Sequence, residues 1–254
     1  MPDRDEIIAF CDRLLDSQSF DDWGPNGLQV PGSREVGKVA TAVSAHLESI
    51  EAAVRTGADL LICHHGLFWD FHPRALTEAM AARLKVALDA GLSIAGYHLP
   101  LDANREIGNN ALICRELGAE PESAALGEAR GSFVGMVGRL PEAITIEELA
   151  EGVRGATGGR DPLVFDTGPE RIETVGVVTG AGASSIHEAI GLDLDAFITG
   201  EPAEHVMADA REGGIHFFAA GHYATEVPGI ERLGELLVEE FGVETEFIDI
   251  PNPV

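Results

Sequence analysis

The chain has 254 residues, with 43 Asp plus Glu against 17 Lys plus Arg and a formal net charge of −26. So many carboxylates repel a phosphate backbone, which argues against duplex nucleic acid as a partner. The acidity does not signal disorder, because 45% of the residues are apolar and a chain of about 250 residues buries roughly three quarters of its unfolded surface. Residues 3–16 have apolar side chains at helical spacing (Ile7, Ile8, Phe10, Cys11, Leu14, Leu15) and predict an amphipathic helix. Residues 21–33 are rich in Gly, Pro, Asp and Asn, the residues of turns, around a short strand at 27–30. A buried strand from Val36, a helix over 46–57 and a second buried strand over 59–63 follow, and the last runs into His64-His65-Gly66. A helix over 76–91 closes at Gly91, and a strand over 92–97 ends at His98. LPLDANREIG reads as a loop and 108–118 as a helix.

The stretch 119–172 carries weaker signals: a strand near 134–140, a helix near 146–157 and a strand near 163–166. Strand 174–180, helix 183–191, strand 195–200, helix 202–213 and strand 215–220 then lead to Gly221-His222, and helix 226–241 and an edge strand over 243–250 close the chain. The last third repeats the first: VATAVSA matches VGVVTGA, GADLLICHHG matches LDLDAFITGEP, and GLSIAGYHLPLD matches GGIHFFAAGHYATE. The alternation predicts an α/β protein with mixed, mainly parallel sheets. Two similar units of one ancestry are expected, 1–125 and 126–254. Their strand C-terminal ends are where open α/β sheets place ligands.

Three cysteines (Cys11, Cys63, Cys114) do not make a disulfide framework. The opening MPDRDE is unlike a signal peptide, and no apolar run approaches the roughly 18 residues of a membrane span. A cytoplasmic protein is expected. Only two cations are lysines, Lys38 and Lys85. Carboxylate-rich, lysine-poor surfaces tolerate concentrated salt, which screens their repulsion. The composition therefore predicts a halophilic protein.

Both halves carry a histidine followed four residues later by a carboxylate, His98…Asp102 and His222…Glu226. With His64 and His65 these make six candidate ligands just past strand ends. Imidazole with carboxylate suits Zn, Fe, Mn or Ni better than Mg or Ca. Five or six donors exceed one tetrahedral ion and fit two ions about 3.5–4 Å apart. His46 reads as a helix-surface residue, His72 as a solvated loop residue, and His187, His205 and His216 as structural. Cys63 reads as core. Phe68, Trp69 and Phe71 either floor a substrate pocket or simply pack.

At these residues the sequence resembles the Nif-three-like (YbgI-type) dinuclear metal-centre family, the GTP cyclohydrolase 1 type 2 homologs. The resemblance rests on PNGLQV (25–30), GADLLICHHGLFW (57–69), GYHLPLDA (96–103), GNNA (108–111), DTGPE (166–170), DAFITGE (195–201), HFFAAGHYATE (216–226) and FIDIPNP (247–253). It implies two divalent metal ions per chain, held by His64, His65, Asp102, His222 and Glu226, with His98 at the site as the candidate general acid or base. It also implies two intertwined α/β units and a ring-shaped homo-hexamer. Ser44 and His46 stand where many members carry Asp and Thr.

The function expected is a metal-dependent hydrolase acting on a small molecule. GTP is only the family label: no Gly-x4-Gly-Lys phosphate loop is present, and the net charge opposes a triphosphate unless the metals and arginines such as Arg74, Arg83 and Arg105 offset it. The alternatives are a non-catalytic metal-storage, delivery or regulatory protein, and a DNA-repair-associated or nuclease-like factor.

Overall fold

A computed structural model describes all residues from Met1 to Val254. The first part of the chain holds α1 (Arg4–Leu15), β1 (Gly27–Val30), β2 (Lys38–Ser44), α2 (Leu47–Arg55), β3 (Leu60–His65), α3 (Glu78–Ala90), β4 (Ser93–Gly96), α4 (Leu99–Ala103) and α5 (Asn109–Glu116). There follow β5 (Glu120–Ser123), β6 (Glu128–Ala129), β7 (Ser132–Phe133), β8 (Met136–Ile144), α6 (Ile146–Ala156), β9 (Leu163–Phe165), β10 (Ile172–Val178), α7 (Ile186–Gly191) and β11 (Ala196–Thr199). The last part holds α8 (Val206–Gly213), β12 (His216–Ala219), α9 (His222–Phe241) and β13 (Glu244–Phe247). No helix is long and apolar enough to cross a membrane.

The helix boundaries follow local chemistry. Asp3 accepts from the Asp5 amide and Glu6 reaches back to the Asp3 amide, so a capping box starts α1; Thr145 and Glu148 do the same for α6. Gly91 takes the left-handed conformation at φ 67° and stops α3, as the sequence predicts.

The chain forms two compact units, Met1–Leu101 with Ile230–Ile250, and Asp102–Gly229 with Pro251–Val254. Strand pairing explains this division. The strand β13 joins β2 in parallel and draws 230–250 into the first unit. Residues 102–125 go to the second, where Ala111, Ile113 and Cys114 pack with Val175, Val177 and Ile198 and β5 pairs with β8.

The first unit has a five-stranded sheet in the order β1-β4-β3-β2-β13, parallel except at β1. Its core includes Ala40, Ala42, Leu61, Cys63 and Ile94. The second unit has a six-stranded sheet in the order β5-β8-β10-β11-β12-β9, with parallel pairing only among β10, β11 and β12. The architecture is thus mixed α/β, but "mainly parallel" holds for the first sheet alone. Strand β5 (EPES) and the hairpin β6–β7 lie where the sequence shows no strand pattern.

Two departures bear on the candidate site. The segment read as a loop after His98 contains α4, and α9 begins at His222 instead of residue 226. Within α9, Pro228 lacks an N–H for the helical ladder, and the Gly229 amide donates instead to Asn109 Oδ1 at 2.8 Å.

His46 proves to be a helix cap. Its Nδ1 accepts from the Ser49 amide at 3.2 Å, while Ser49 Oγ accepts from the His46 amide at 3.0 Å. An accepting Nδ1 carries no proton. Burial first, and then the Arg83 charge, hold the His46 pKa below its ordinary 6.5. For a histidine depressed in the fold, the contribution is complete above the unfolded value and is lost as pH falls through the folded one. His46→Ala should therefore cost about 1 kcal/mol at pH 8 and less at pH 5. Urea midpoints of both proteins at both pH values check this; an equal cost at each would contradict the capping account.

Candidate metal centre

In the first unit, β3 ends in His64 and His65, and β4 gives way to Tyr97 and His98. Parallel register sets Cys63 beside Gly96 and Ser44 beside His65. His64 is fully buried, and its Nδ1 lies 3.0 Å from the Tyr97 carbonyl oxygen. A carbonyl only accepts, so Nδ1–H donates and the lone pair of the neutral ring sits on Nε2. His98 has the same arrangement, its Nδ1 lying 2.8 Å from Asp22 Oδ1. His65 Nδ1 shares a hydrogen bond with Ser44 Oγ at 3.0 Å. The ring centroids are 4.8 Å apart for His64–His65, 5.1 Å for His64–His98 and 5.6 Å for His65–His98. Each ring offers a nitrogen within 4.8 Å of the others. Three convergent imidazoles, two of them with a fixed tautomer, suit a first-row divalent ion.

Asp22 organises this cluster from the turn-rich segment. It also accepts from the amides of Trp23 at 2.7 Å and Leu99 at 3.0 Å and from Asn26 Nδ2 at 3.1 Å, while Asn26 Oδ1 takes the His98 amide. Burial opposes the Asp22 charge, but His98 and these donors outweigh it and hold the carboxyl below its usual range. Both tryptophans flank His98, with centroid distances of 5.9 Å for Trp23 and 5.1 Å for Trp69. Burial pushes the Cys63 thiol up, so it offers no thiolate, in keeping with a core role.

In the second unit, His222 and Glu226 stand four residues apart in the first turns of α9, which puts them on one face. His222 Nε2 is 3.1 Å from Glu226 Oε1, and its Nδ1 is hydrogen-bonded to Glu201 just after β11. Burial disfavours the imidazolium, but Glu226 and then Glu201 more than offset it and lift the His222 pKa to about 9. Glu226 is 2% exposed. Close backbone approach makes the space: a Cβ on Gly200 would lie 2.7 Å from the His222 Cα, and one on Gly180 would lie 2.4 Å from Glu226 Oε1. Gly180 also sits at φ 65°, where a side chain is strained. Gly180→Ala should therefore destabilise the protein by about 1–2 kcal/mol and displace Glu226, weakening metal binding. Retention of wild-type metal content in the variant would contradict this.

Asp102, in α4, belongs to none of these groupings. It is buried, and its Oδ1 accepts from Asn109 Nδ2 at 2.8 Å and Thr179 Oγ1 at 3.1 Å. Asn110 donates to the Asp102 and Val134 carbonyls and accepts from the Thr179 amide. Asp22, Glu201, Asn109, Asn110 and Thr179 carry no role in the sequence reading. The signal was present, since all but Asp22 and Thr179 lie in the quoted segments GNNA and DAFITGE.

The profile of the Duf34/NIF3 (NGG1p interacting factor 3) family matches residues 2–253. The chain belongs to the Duf34/NIF3 family. An Archaeoglobus fulgidus member named "GTP cyclohydrolase 1 type 2 homolog" is 42% identical over 249 residues, covering 97% of this chain and 98% of that one. A Vibrio cholerae member of the same name is 41% identical, covering 98% of each. Among solved structures, the protein ybgI, described as of unknown function, superposes with a TM-score of 0.92 at 40% identity, covering 99% of this chain and 100% of that one. A Thermus thermophilus crystal structure gives 0.88 at 36% identity, with the same coverage. The Duf34/NIF3 fold thus runs through the whole chain.

His46 and His216 lie outside the candidate centre. His216 accepts from the Gly168 amide at Nδ1 and donates from Nε2 to the Pro169 carbonyl, which is a structural role. Of the arginines weighed as anion partners, Arg74 and Arg83 line one cleft of about 580 Å³ with Phe68, Trp69 and His72. Arg105 instead donates to the Pro121 carbonyl.

Proposed function

We propose that this protein is a metal-dependent hydrolase whose centre takes two divalent first-row ions. The ligands are His64, His65, Asp102, His222 and Glu226, and His98 is the sixth donor or the acid/base at the same ions. The observation that carries the reading is the donor chemistry of each unit. Imidazoles fixed through Nδ1 present Nε2 in the first, and a buried imidazole–carboxylate pair stands in the second. Neither cluster alone supplies what two ions need. When bound, the ions would lower the pKa of a water towards neutrality and hold it as a nucleophile.

The chain's own residues would do the rest. Asp22 orients His98, Glu201 orients His222, and Asn109 with Thr179 holds Asp102. The cleft of Trp69, Arg74 and Arg83 would bind a small planar molecule carrying an anionic group. The name of the relatives points to purine-ring opening on GTP; the aromatic and arginine lining admits a nucleotide without selecting guanine. The test is metal analysis of the native protein, then a hydrolase panel with the metal found, comparing wild type with Glu226→Gln. Turnover by wild type alone supports the reading. Equal inactivity of both, with wild type metal-loaded, favours a storage or regulatory role.

The family resemblance supports a ring-shaped hexamer, and the −26 per chain makes its assembly salt-dependent, because unscreened repulsion opposes it. Light scattering across KCl concentrations should show the ring dissociating at low salt before metal is lost. Assembly indifferent to salt would remove the halophilic reading.

A further inference from the structure

A second cluster of metal-type donors lies elsewhere in the second unit. His187 is near the start of α7; His205 immediately precedes α8 and Asp209 is one turn into it. The spacing of His205 and Asp209, four residues, puts both on one face of α8, and His187 reaches them from the neighbouring helix. The two imidazole planes are within 10° of parallel, with centroids 6.3 Å apart. Both Nε2 atoms converge on a single carboxylate oxygen, Asp209 Oδ2, at 3.4 Å from His187 and 3.9 Å from His205.

These distances decide between two accounts. Charge-assisted hydrogen bonds from imidazolium to carboxylate would close to about 2.7–2.9 Å. Donors around a tetrahedral ion with bonds near 2.1 Å stand about 3.4 Å from one another. Both separations are longer than such bonds; that of His187 equals the donor spacing around an ion, and that of His205 lies 0.5 Å beyond it, within reach of a small side-chain adjustment. Two imidazoles with one carboxylate are also a donor set for first-row ions, with positions left over for water. The side chains are 65%, 49% and 24% exposed for His187, His205 and Asp209, so an ion can enter directly from solvent.

We propose that His187, His205 and Asp209 form a separate surface site for a divalent first-row cation, which clamps α7 to α8. Zinc is the probe, because it takes imidazole and carboxylate in tetrahedral geometry and has no redox chemistry. The site shares no residue with the proposed dinuclear centre and stands independently of it.

The experiment is equilibrium dialysis of the full chain against zinc, with bound metal counted by mass spectrometry. Wild type, His205→Gln and Asp209→Asn are compared, and His205→Gln is repeated in a Glu226→Gln background. Each surface variant should bind one zinc fewer per chain at zinc levels that fill the wild-type site. Its affinity there should fall by at least about tenfold. The loss should persist in the Glu226→Gln background, which separates it from the main centre. Zinc should also raise the melting temperature of wild type more than that of either variant. Identical zinc counts and identical zinc-dependent melting shifts in wild type and both variants would overturn the proposal. These substitutions remove no hydrogen bond from the core, so circular dichroism should show all proteins folded.

Discussion

Replacing Glu226 by Gln is expected to strip the centre of metal while leaving the protein folded. Glu226 is buried to 2% exposure and stands 3.1 Å from His222 Nε2. An amide of the same size keeps the packing but removes the negative charge that makes a carboxylate oxygen a strong donor. Loss of a supporting group behind a ligand already costs about 10–100-fold in metal affinity, so loss of a proposed ligand should cost at least about 100-fold. Folding stability should change little. The substitution removes a buried charge, and His222 keeps Glu201 as a partner. Dialysis against a graded chelator, followed by metal analysis, measures the effect. Wild-type metal retention in the variant would remove Glu226 from the ligand set.

Asn109→Ala is expected to produce the largest loss of stability. Asn109 is fully buried, and its two polar atoms serve two different parts of the second unit. Its Nδ2 donates to Asp102 Oδ1 at 2.8 Å, and its Oδ1 accepts the Gly229 amide at 2.8 Å. The Gly229 amide follows Pro228, where the helical ladder is interrupted, and Asn109 Oδ1 is its side-chain acceptor. A Cβ on Gly229 would lie 2.6 Å from Asn109 Oδ1, so the Asn109 side chain packs directly against the Gly229 backbone. Truncation thus costs one hydrogen bond to a charged group and leaves a buried amide unsatisfied, together about 3 kcal/mol. For a chain of this size that is a fall of roughly 6–12 °C in melting temperature. Because Asp102 also loses a restraint, metal affinity should fall about 10–100-fold. Calorimetry and metal titration of the one variant check both effects. A melting temperature within a degree or two of wild type would show that Asn109 bears no such strain.

The order of strands and helices was legible in the sequence because each element carries its own signal. VATAVS and LLIC are β-branched or apolar runs buried on both faces, Gly91 ends a helix, and the α1 face repeats at helical spacing. The weak regions failed for the same reason. EPES holds a proline and two glutamates and is a strand only because β8 pairs with it. The helix α9 starts one turn before the expected residue 226, and Pro228, a residue more at home in a helix's first turn, sits in its second.

By itself, the sequence determined which residues could act as donors, since histidines and carboxylates at strand ends are identifiable by type and spacing. It also determined the family, through long motifs. Only the tertiary structure decided which nitrogen of each ring is presented. That depends on partners distant in sequence: Tyr97 for His64, Asp22 for His98 and Glu201 for His222. It alone brought His187, read as structural, to the same carboxylate as His205, because helix packing sets that distance and no local pattern encodes it. The charge of −26 was legible from the first line. Its placement was not: a few carboxylates, Asp22 in the first unit and Asp102 and Glu226 in the second, are buried among polar partners, where burial makes each hydrogen bond count for more than it would at the surface.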